Sequence, residues 1–266
     1  MSKQPVIIVT GASSGIGAAV AKLFASEGYR VSMGARRIER LQALSTEIKS
    51  AGGESIAVQA DLTRFEDIQR LVNSTLDGFG QIDILVNNAG FGRIKWLEEL
   101  DPIKDIQAQI QINLISAVII SHQVLPYLIE QRSGHIINIG SMGGLVASPT
   151  YTVYSASKFG LRGFTESLRR EVGIYGVHVS GIYPGAVKTE FKQHAGINRK
   201  TGRTTPKALL LESEEVAQAV LKVVRRPRRS LIIPWQMRFT VWLNMLFPGI
   251  VDRIIERNFT RLERDI

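Results

Sequence analysis

Short apolar runs alternate with segments of helical period along most of the chain. Runs such as 6–9, 82–86 and 134–140 are apolar on successive positions, which is typical of strands covered on both faces. The segments between them repeat apolar residues every three to four positions, which predicts amphipathic helices. The pattern predicts strands at 6–9, 31–33, 55–60, 82–86, 134–140, 177–182 and 231–233. It predicts a first helix that ends near 28, and further helices at 38–50, 65–78, 102–131, 152–174 and 213–225.

This alternation of strands and helices predicts βαβ units, whose right-handed crossovers place helices on both faces of one parallel sheet. The predicted fold class is therefore α/β, a Rossmann-like doubly wound parallel sheet of about seven strands with a C-terminal helical extension. No linker or internal repeat divides the sequence, so residues 1–266 are predicted to form a single domain. Its amphipathic extension occupies about 234–266.

A glycine-rich stretch, TGASSGIG at 10–17, follows the first predicted strand and opens the first predicted helix. Its glycines, Gly11, Gly15 and Gly17, follow the spacing G-x-x-x-G-x-G. Backbone N–H groups in such a turn, together with the positive end of the helix, bind the pyrophosphate of a dinucleotide. A tight turn with only a structural role is the alternative, and the strand–turn–helix context favours the cradle.

The end of the second strand predicts which dinucleotide binds. An acidic residue at this point would bind the adenosine ribose 2′-OH of NAD. This chain has Ala35 there, followed by Arg36 and Arg37, and a guanidinium can bind the 2′-phosphate of NADP by charge-assisted hydrogen bonds. The sequence therefore predicts NADP(H) in preference to NAD(H), unless Arg36, Arg37 and Arg40 only begin a solvated helix.

Two further loops follow predicted strands and lie at the carboxyl edge of the sheet, where ligands bind in open α/β folds. Asp61 and Leu62, after the third strand, are placed to contact adenine. Asn88, Ala89 and Gly90, after the fourth strand, would line the cofactor with small groups.

A reactive pair is predicted in the middle of the chain. Tyr154 and Lys158 are four positions apart in a predicted helix, so the phenol and the ammonium share one face. A close ammonium stabilises a phenolate and is expected to lower the phenol pKa by roughly 1–3 units. Ser141 ends the fifth strand, where its hydroxyl can bind a substrate oxygen, and Asn113 is a polar residue in an apolar stretch of the long helix.

Taken together, these motifs resemble the classical short-chain dehydrogenase/reductase family over roughly two-thirds of the chain, from Thr10 to about Thr189. The resemblance implies that Tyr154 is the acid in reduction and the base in oxidation, while Lys158 also holds the nicotinamide ribose. It implies that Ser141 orients and polarises the carbonyl, and that Asn113 positions a water in a proton relay toward Lys158. Motifs and resemblance together assign cofactor binding to Gly11, Ser13, Ser14, Gly15, Ile16, Gly17, Arg36, Arg37, Asp61, Leu62, Asn88, Ala89, Gly90, Tyr154, Lys158, Pro184, Gly185, Val187 and Thr189.

Composition narrows the remaining classes. The formal net charge is +9, and residues 225–266 carry +5 of it, from nine Arg and four acidic residues. The sequence has no motif that reads nucleic acid, so no nucleic-acid partner is predicted. The chain has no Cys, which removes thiolate chemistry and disulfides, and its four His lack metal-ligand spacing, so no metal is predicted. Neither a signal peptide nor a membrane-spanning helix is expected, which predicts a cytoplasmic protein.

Two segments bear on the substrate. The stretch after Thr189 is basic, and by the resemblance it is a substrate lid suited to an acidic carrier or a phosphorylated or carboxylated substrate; a solvated loop is the alternative. Its basic residues are Lys192, His194, Arg199, Lys200, Arg203 and Lys207. The extension has an aromatic-rich apolar face flanked by arginines, which fits an interfacial helix, an oligomer or domain-packing contact, or a flap over the site. The apolar residues of that face are Phe239, Trp242, Leu243, Leu246, Phe247, Val251, Ile254, Ile255, Phe259 and Leu262.

The leading hypothesis is an NADP(H)-dependent oxidoreductase that interconverts a carbonyl and an alcohol on an apolar or lipid-like small molecule. A 3-oxoacyl reductase acting on a carrier-bound chain, with acyl-carrier protein or coenzyme A, is the second. A membrane-associated or oligomeric scaffold that retains a cofactor site is the third, and the complete catalytic set argues against it. The expected assembly is a homodimer or homotetramer, with peripheral membrane contact through the extension as a further expectation.

Overall fold

The computed structural model describes residues 4–197, 200, 206 and 209–264. Within them one parallel sheet contains seven strands in the order β3-β2-β1-β4-β5-β6-β7. The strands are β1 Val6–Thr10, β2 Arg30–Ala35, β3 Glu54–Gln59, β4 Ile84–Asn87, β5 Gly134–Ile139, β6 Val177–Pro184 and β7 Ser230–Ile233. The predicted Rossmann-like doubly wound sheet is therefore confirmed, and each predicted strand is present within two residues of its expected bounds.

Helices cover both faces of this sheet. They are α1 Gly15–Ser26, α2 Ile38–Ser50, α3 Phe65–Phe79, α4 Pro102–Glu130, α5 Thr152–Val172, α6 Phe191–His194, α7 Ser213–Arg225, α8 Met237–Leu246, α9 Pro248–Ile255 and α10 Arg261–Arg264. One apolar core contains side chains from α1, α2 and α7, and a second contains side chains from α3, α4 and α5. The sheet separates the two cores, as the crossover rule requires.

The central strands show why their sequences are apolar at successive positions. Ile7 and Val9 of β1 belong to the core under α1 and α7, whereas Ile8 between them belongs to the opposite core. Successive side chains of a strand point to opposite faces, so a strand covered twice must be apolar at both. Leu85 of β4 faces the same core as Ile8.

Helix α4 is long and apolar enough to cross a membrane by length and composition alone, which the sequence analysis did not expect. In the fold it is a core helix, since Ile120, Val124 and Leu128 are fully buried against the sheet. Two turns of π-helix interrupt it, at Pro102–Gln107 and Gln111–Ile115. Such turns shift the register of the side chains that follow and are frequent at functional sites.

The C-terminal extension consists of α8, α9, a π-helical turn at Glu256–Thr260 and α10. Helix α8 has no buried residue, although most of its side chains are apolar. Farther along, Val251 of α9 and Glu263 of α10 are buried. The two halves of the extension therefore differ, because only the second half packs firmly on the rest of the protein.

Candidate active site

The glycine-rich turn joins β1 to α1 in a conformation that only glycine fits. Gly11 and Gly15 have positive φ angles of 67° and 54°, in the left-handed region that side chains disfavour. A Cβ on Gly17 would lie 2.6 Å from the Asn88 side-chain amide and would also overlap the Gly11 carbonyl oxygen. Ser13 and Ser14 lie just before α1 and Ile16 lies in its first turn, and all three are half-buried. This geometry fits a pyrophosphate cradle.

The loop after β4 is tied directly to this turn. The Thr10 hydroxyl oxygen accepts hydrogen bonds from the backbone N–H of Asn88 at 3.0 Å and of Ala89 at 3.1 Å. The Asn88 side-chain amide donates to the Thr10 carbonyl at 2.9 Å. Strands β1 and β4 are neighbours at the point where the strand order reverses, which is the usual ligand crevice of an open α/β sheet. Asn88, Ala89 and Gly90 therefore form one wall of the predicted cofactor cleft.

The ends of β2 and β3 form an open cleft of about 440 Å³, lined by Arg36, Gln59, Asp61, Arg64, Asp67 and Arg70. Asp61 is held in place by Thr63, whose backbone N–H and hydroxyl both donate to its Oδ1 at 3.0 and 2.8 Å. Leu62 is buried beneath this loop. Three arginines and two aspartates therefore line the cleft where the sequence predicts the adenosine of the cofactor, and Arg70 pairs with Asp67.

Arg37 does not line this cleft, and its guanidinium bonds to the glycine-rich turn next to it. Its Nη2 donates to the hydroxyls of Ser14 at 2.8 Å and Ser13 at 3.2 Å. Its Nη1 donates to the Glu190 carboxylate at 3.0 Å, and Arg40 donates to the other oxygen of the same carboxylate at 2.6 Å. The two predicted arginines therefore occupy different places, Arg36 beside the adenosine cleft and Arg37 across the cradle.

Three of the four predicted catalytic side chains converge beside this cradle. Ser141 follows β5 and caps a single 3-10 turn, Met142–Gly144, by accepting a hydrogen bond from the Gly143 N–H at 3.1 Å. Tyr154 lies in the first turn of α5, near enough to Ser141 for the serine side chain to lower the pKa of its phenol. Lys158, one turn later, donates through Nζ to the carbonyl of Ile139 at 3.0 Å. Tyr154 and Lys158 are 8% and 5% exposed, so both reactive groups are largely withdrawn from water.

The expectation that Lys158 lowers the Tyr154 pKa is wrong for this structure. Burial raises the pKa of Tyr154 to about 12, although the Ser141 side chain acts in the opposite direction. Burial also lowers the pKa of Lys158 to about 8. The Lys158 ammonium lies 5.9 Å from the centre of the Tyr154 ring and donates to the Ile139 carbonyl. Desolvation is the largest influence on the Tyr154 pKa. The phenol is therefore held in its protonated form, which can donate a proton.

Asn113, the fourth predicted residue, lies in the second π-helical turn of α4 and is buried. Its amide nitrogen donates to the Phe91 carbonyl at 2.8 Å and to the Ser157 hydroxyl at 3.0 Å. Its amide oxygen accepts from the Phe91 N–H at 2.9 Å. The side chain thus fixes the loop after β4 against α5, next to Lys158. The water relay assigned to Asn113 stays a prediction.

The segment after β6 reaches back to the cradle. Val187 pairs with Leu211 in an isolated parallel bridge. The Lys188 N–H donates to the Leu211 carbonyl, and the Leu211 N–H donates to the Ala186 carbonyl, both at 2.9 Å. A Cβ placed on Gly15 would lie 3.0 Å from the Thr189 methyl, so Thr189 packs on the glycine-rich turn. Pro184 ends β6, and a Cβ on Gly185 would lie 2.8 Å from the Met237 sulfur at the start of α8. Gly185 therefore lies against the start of α8, and Thr189 against the glycine-rich turn.

Sequence reasoning missed two residues directly after Thr189. Glu190 binds both Arg37 and Arg40, and the Phe191 ring lies 5.5 Å from the Tyr154 ring, centre to centre. Nothing in the local pattern identified either one, because their partners are far away in the sequence. Of the predicted basic lid residues, Arg199, Arg203 and Lys207 lie outside the described residues.

The second half of the extension packs on the loop after β4. Arg264 of α10 stacks 3.9 Å from the centre of the Trp96 ring and pairs with Glu98. The Phe259 ring lies 6.5 Å from Trp96, centre to centre. Glu263 accepts a hydrogen bond from the backbone N–H of Lys200 at 3.0 Å. These contacts pack the second half of the extension on the rest of the domain.

The family described as short chain dehydrogenase matches residues 5–200 of this chain. A 3-oxoacyl-[acyl-carrier-protein] reductase of Synechocystis sp. is 36% identical over 228 residues, which cover 85% of this chain and 92% of that protein. The chain therefore belongs to the short-chain dehydrogenase/reductase family of oxidoreductases, whose members act on carbonyl and alcohol groups.

Solved structures agree with this assignment. A short-chain dehydrogenase from Sphingobium yanoikuyae, in complex with NADPH, is 30% identical with a TM-score of 0.80, covering 93% of this chain and 95% of that one. A short-chain dehydrogenase/reductase from Burkholderia phymatum, in complex with NAD, shares the fold with a TM-score of 0.83 at 24% identity, covering 94% and 96%. Nicotinamide dinucleotides are thus the cofactors of its structural neighbours.

The lowered pKa of Lys158 predicts a pH limit on activity. We expect kcat/KM for the cofactor, which reports the free enzyme, to be flat from about pH 6 to 7 and to fall about tenfold per pH unit above about pH 8. The physical reason is that Lys158 loses its proton there. Steady-state rates with the cofactor as the varied substrate measure this profile, and a profile that stays flat to about pH 10 contradicts it.

The pH dependence of stability and a Lys158→Arg variant both separate this loss of rate from unfolding. The folded pKa of Lys158 lies below its ordinary value of 10.5, so between the two values the unfolded chain binds more protons at this position. Its contribution to the free energy of unfolding therefore rises with pH in that window, opposite to the expected loss of rate. In a Lys158→Arg variant the guanidinium keeps its proton, so any residual activity should lose the decline.

Proposed function

We propose that this protein is an NADP(H)-dependent oxidoreductase that interconverts a carbonyl and an alcohol on an apolar or lipid-like substrate. The observation that carries the proposal is the convergence of Ser141, Tyr154 and Lys158, all beside the glycine-rich cradle at the carboxyl edge of the sheet. Asn113 fastens the neighbouring loop. A proton donor and a dinucleotide cradle at one edge are what carbonyl reduction requires.

In the proposed reaction the bound nicotinamide supplies or accepts the hydride. The Ser141 hydroxyl binds the substrate oxygen and orients the carbonyl toward Tyr154. The Tyr154 phenol, protonated in this structure, gives its proton to that oxygen as negative charge develops on it. Lys158, when protonated, stabilises the phenolate that remains. In the reverse direction the same phenolate takes the proton of the alcohol.

Preference for NADP(H) is supported by the end of β2. Ala35 stands where NAD-binding folds have an acid, and Arg36 lines the cleft predicted to hold the adenosine. Arg37 lies nearby across the cradle. A relative of known structure from Sphingobium yanoikuyae was solved with NADPH, which is consistent with this proposal.

Removing the Arg36 guanidinium should weaken NADPH binding selectively. We expect Arg36→Ala to raise the Kd for NADPH about tenfold or more and that for NADH less than about twofold, because only NADPH carries a phosphate to bind. Cofactor titration of the purified protein measures both constants. Arg226→Ala, at the end of α7, serves as a matched loss of surface charge. Equal losses for the two cofactors in Arg36→Ala would remove Arg36 from the phosphate site.

An apolar substrate is supported by the surroundings of Tyr154. Its ring packs with Tyr151 and Phe191, and Ile94 and Ala195 belong to the same buried cluster. The alternative is a 3-oxoacyl group on an acyl carrier. It is favoured by the Synechocystis relative, whose name states that activity, and by the basic stretch after Thr189.

A panel of carbonyl compounds separates these substrates. NADPH oxidation should increase with the apolar size of the ketone or aldehyde, and Tyr154→Phe should lower the rate about a hundredfold or more because the proton donor is lost. Tyr151→Phe is the matched control, since it removes the neighbouring phenol. A rate confined to acyl thioesters would support the carrier-bound substrate instead. A rate that Tyr154→Phe leaves unchanged would contradict the mechanism.

We propose that this enzyme works in the cytoplasm and contacts an anionic membrane surface through α8. The apolar side chains there lie outward, and arginines follow in α9 and the turn after it. The exposed apolar residues of α8, of the residues that flank it and of α9 are Trp235, Phe239, Trp242, Leu243, Met245, Leu246, Phe247, Ile250 and Ile254. An exposed aromatic face beside positive charge suits the interface of a bilayer with anionic lipid. A second copy, in the expected homodimer or homotetramer, is the competing occupant of this face.

Vesicle co-sedimentation tests the membrane contact. Wild-type protein should bind phosphatidylserine vesicles, and the Phe239→Ser/Trp242→Ser variant should bind about tenfold less, because two large apolar side chains no longer enter the lipid. Ile174→Ser is the control, since Ile174 is exposed outside the extension. Failure of the wild-type protein to bind contradicts the proposal. Loss of a dimer in the double variant, measured by light scattering, would assign the face to a second copy.

A further inference from the structure

A compact ion cluster spans the predicted cofactor cleft. Glu190, just after Thr189, receives a hydrogen bond from Arg37 at 3.0 Å on one carboxylate oxygen and from Arg40 at 2.6 Å on the other. The acid is about 150 positions from its partners in the sequence, so the pairing exists only because the segment after β6 crosses the cradle. The cluster thus joins both sides of the cleft.

The Arg37 guanidinium is almost fully used in this arrangement. Its Nε and Nη2 donate to the Ser13 hydroxyl, its Nη2 also donates to Ser14, and its Nη1 donates to Glu190. Four of its five N–H groups are therefore engaged, two of them by one serine. A carboxylate of this chain occupies a place where an arginine would otherwise be open to an anionic ligand.

We infer that Glu190 is an internal counter-anion on Arg37 and Arg40, which lie beside the predicted cofactor cleft, and that it sets how strongly NADPH is preferred over NADH. This inference rests on the proposed NADP(H) dependence. The 2′-phosphate is the one group that distinguishes the two cofactors, and it carries nearly two negative charges at neutral pH. It must share or displace Glu190 to reach Arg37 and Arg40. NADH makes no such demand and leaves the ion cluster intact.

The charge and the exposure of Glu190 decide how it competes with the 2′-phosphate for the two arginines. Hydrogen bonds from Arg40 and Arg37 hold the pKa of Glu190 down at about 2, so the carboxylate stays charged throughout the working pH range. The side chains of Glu190, Arg37 and Arg40 are also about one-third to one-half exposed, so solvent moderates their attraction. The ion pairs are therefore weak enough for a dianion to displace Glu190. Protonation does not neutralise the Glu190 carboxylate in the working pH range.

Binding measurements on Glu190→Gln test the inference. The amide keeps the shape of the side chain and removes its charge, so the arginines become fully available to phosphate. We expect the Kd for NADPH to fall about fivefold and the Kd for NADH to change less than about twofold. This is the size of effect expected when one negative charge is removed beside an exposed site that binds an anion. Adenosine 2′,5′-bisphosphate should tighten as NADPH does, because it carries the 2′-phosphate without the nicotinamide, whereas 5′-AMP should not.

Glu166→Gln is the matched control. Glu166 of α5 also pairs with two arginines, Arg162 and Arg170, at a comparable exposure. Its removal changes the net charge by the same amount away from the cradle, so it should leave both dissociation constants unchanged. A Glu190→Asp variant keeps the negative charge and should bind NADPH more weakly than Glu190→Gln does.

The outcomes separate this inference from the proposal beneath it. If the wild-type protein binds NADPH no better than NADH, the proposed cofactor preference fails. If the wild type prefers NADPH but Glu190→Gln binds it unchanged or more weakly, the counter-anion inference is overturned, and weaker binding would mean that Glu190 holds the arginines in place for the phosphate. Equal tightening of NADH would also overturn it, since the effect would not depend on the 2′-phosphate.

Discussion

The close approach of the glycine-rich turn to the loop after β4 is the constraint on which the rest of the site depends. The Thr10 hydroxyl and the Asn88 amide hold these two backbones together, and Gly17 leaves no room for a side chain between them. Because the turn also begins α1, this contact fixes where the helix N-terminus points. Asn113 then fastens the same loop to α5, the helix that carries Tyr154 and Lys158. The predicted cofactor cradle and α5 are thus positioned by one chain of hydrogen bonds.

Burial gives the catalytic pair its chemical character. A surface tyrosine and lysine at the same helical spacing would titrate near 10 and above. Here the phenol is harder to ionise and the ammonium easier to neutralise, because both lie between α5 and the end of β5 with little water. Desolvation therefore works against the phenolate, while a protonated lysine favours it. The balance between these opposing effects sets the proton affinity of the Tyr154 phenol, on which its proposed role depends.

Much of the fold could be predicted from the sequence, because strand alternation, glycine spacing and helix period are local signals. The strands, the cradle and the convergence of Ser141 with Tyr154 follow from such patterns. The direction of the Tyr154 pKa did not, since burial depends on Phe191 and other residues that tertiary packing brings near. The pairing of Glu190 with Arg37 and the stacking of Arg264 on Trp96 were also missed, because both join residues more than 150 positions apart. Long-range ion pairs leave no periodic signal.

Three consecutive residues after β6 connect parts of the site that are otherwise separate. Thr189 packs on the glycine-rich turn, Glu190 binds the arginines at the end of β2, and Phe191 packs on the ring of Tyr154. Neighbouring residues in one short segment cannot move independently, so a ligand that displaces Glu190 also acts on the aromatic contact at the catalytic tyrosine. The glycine-rich turn, the arginines after β2 and the Tyr154 ring are therefore all contacted by one short segment of backbone.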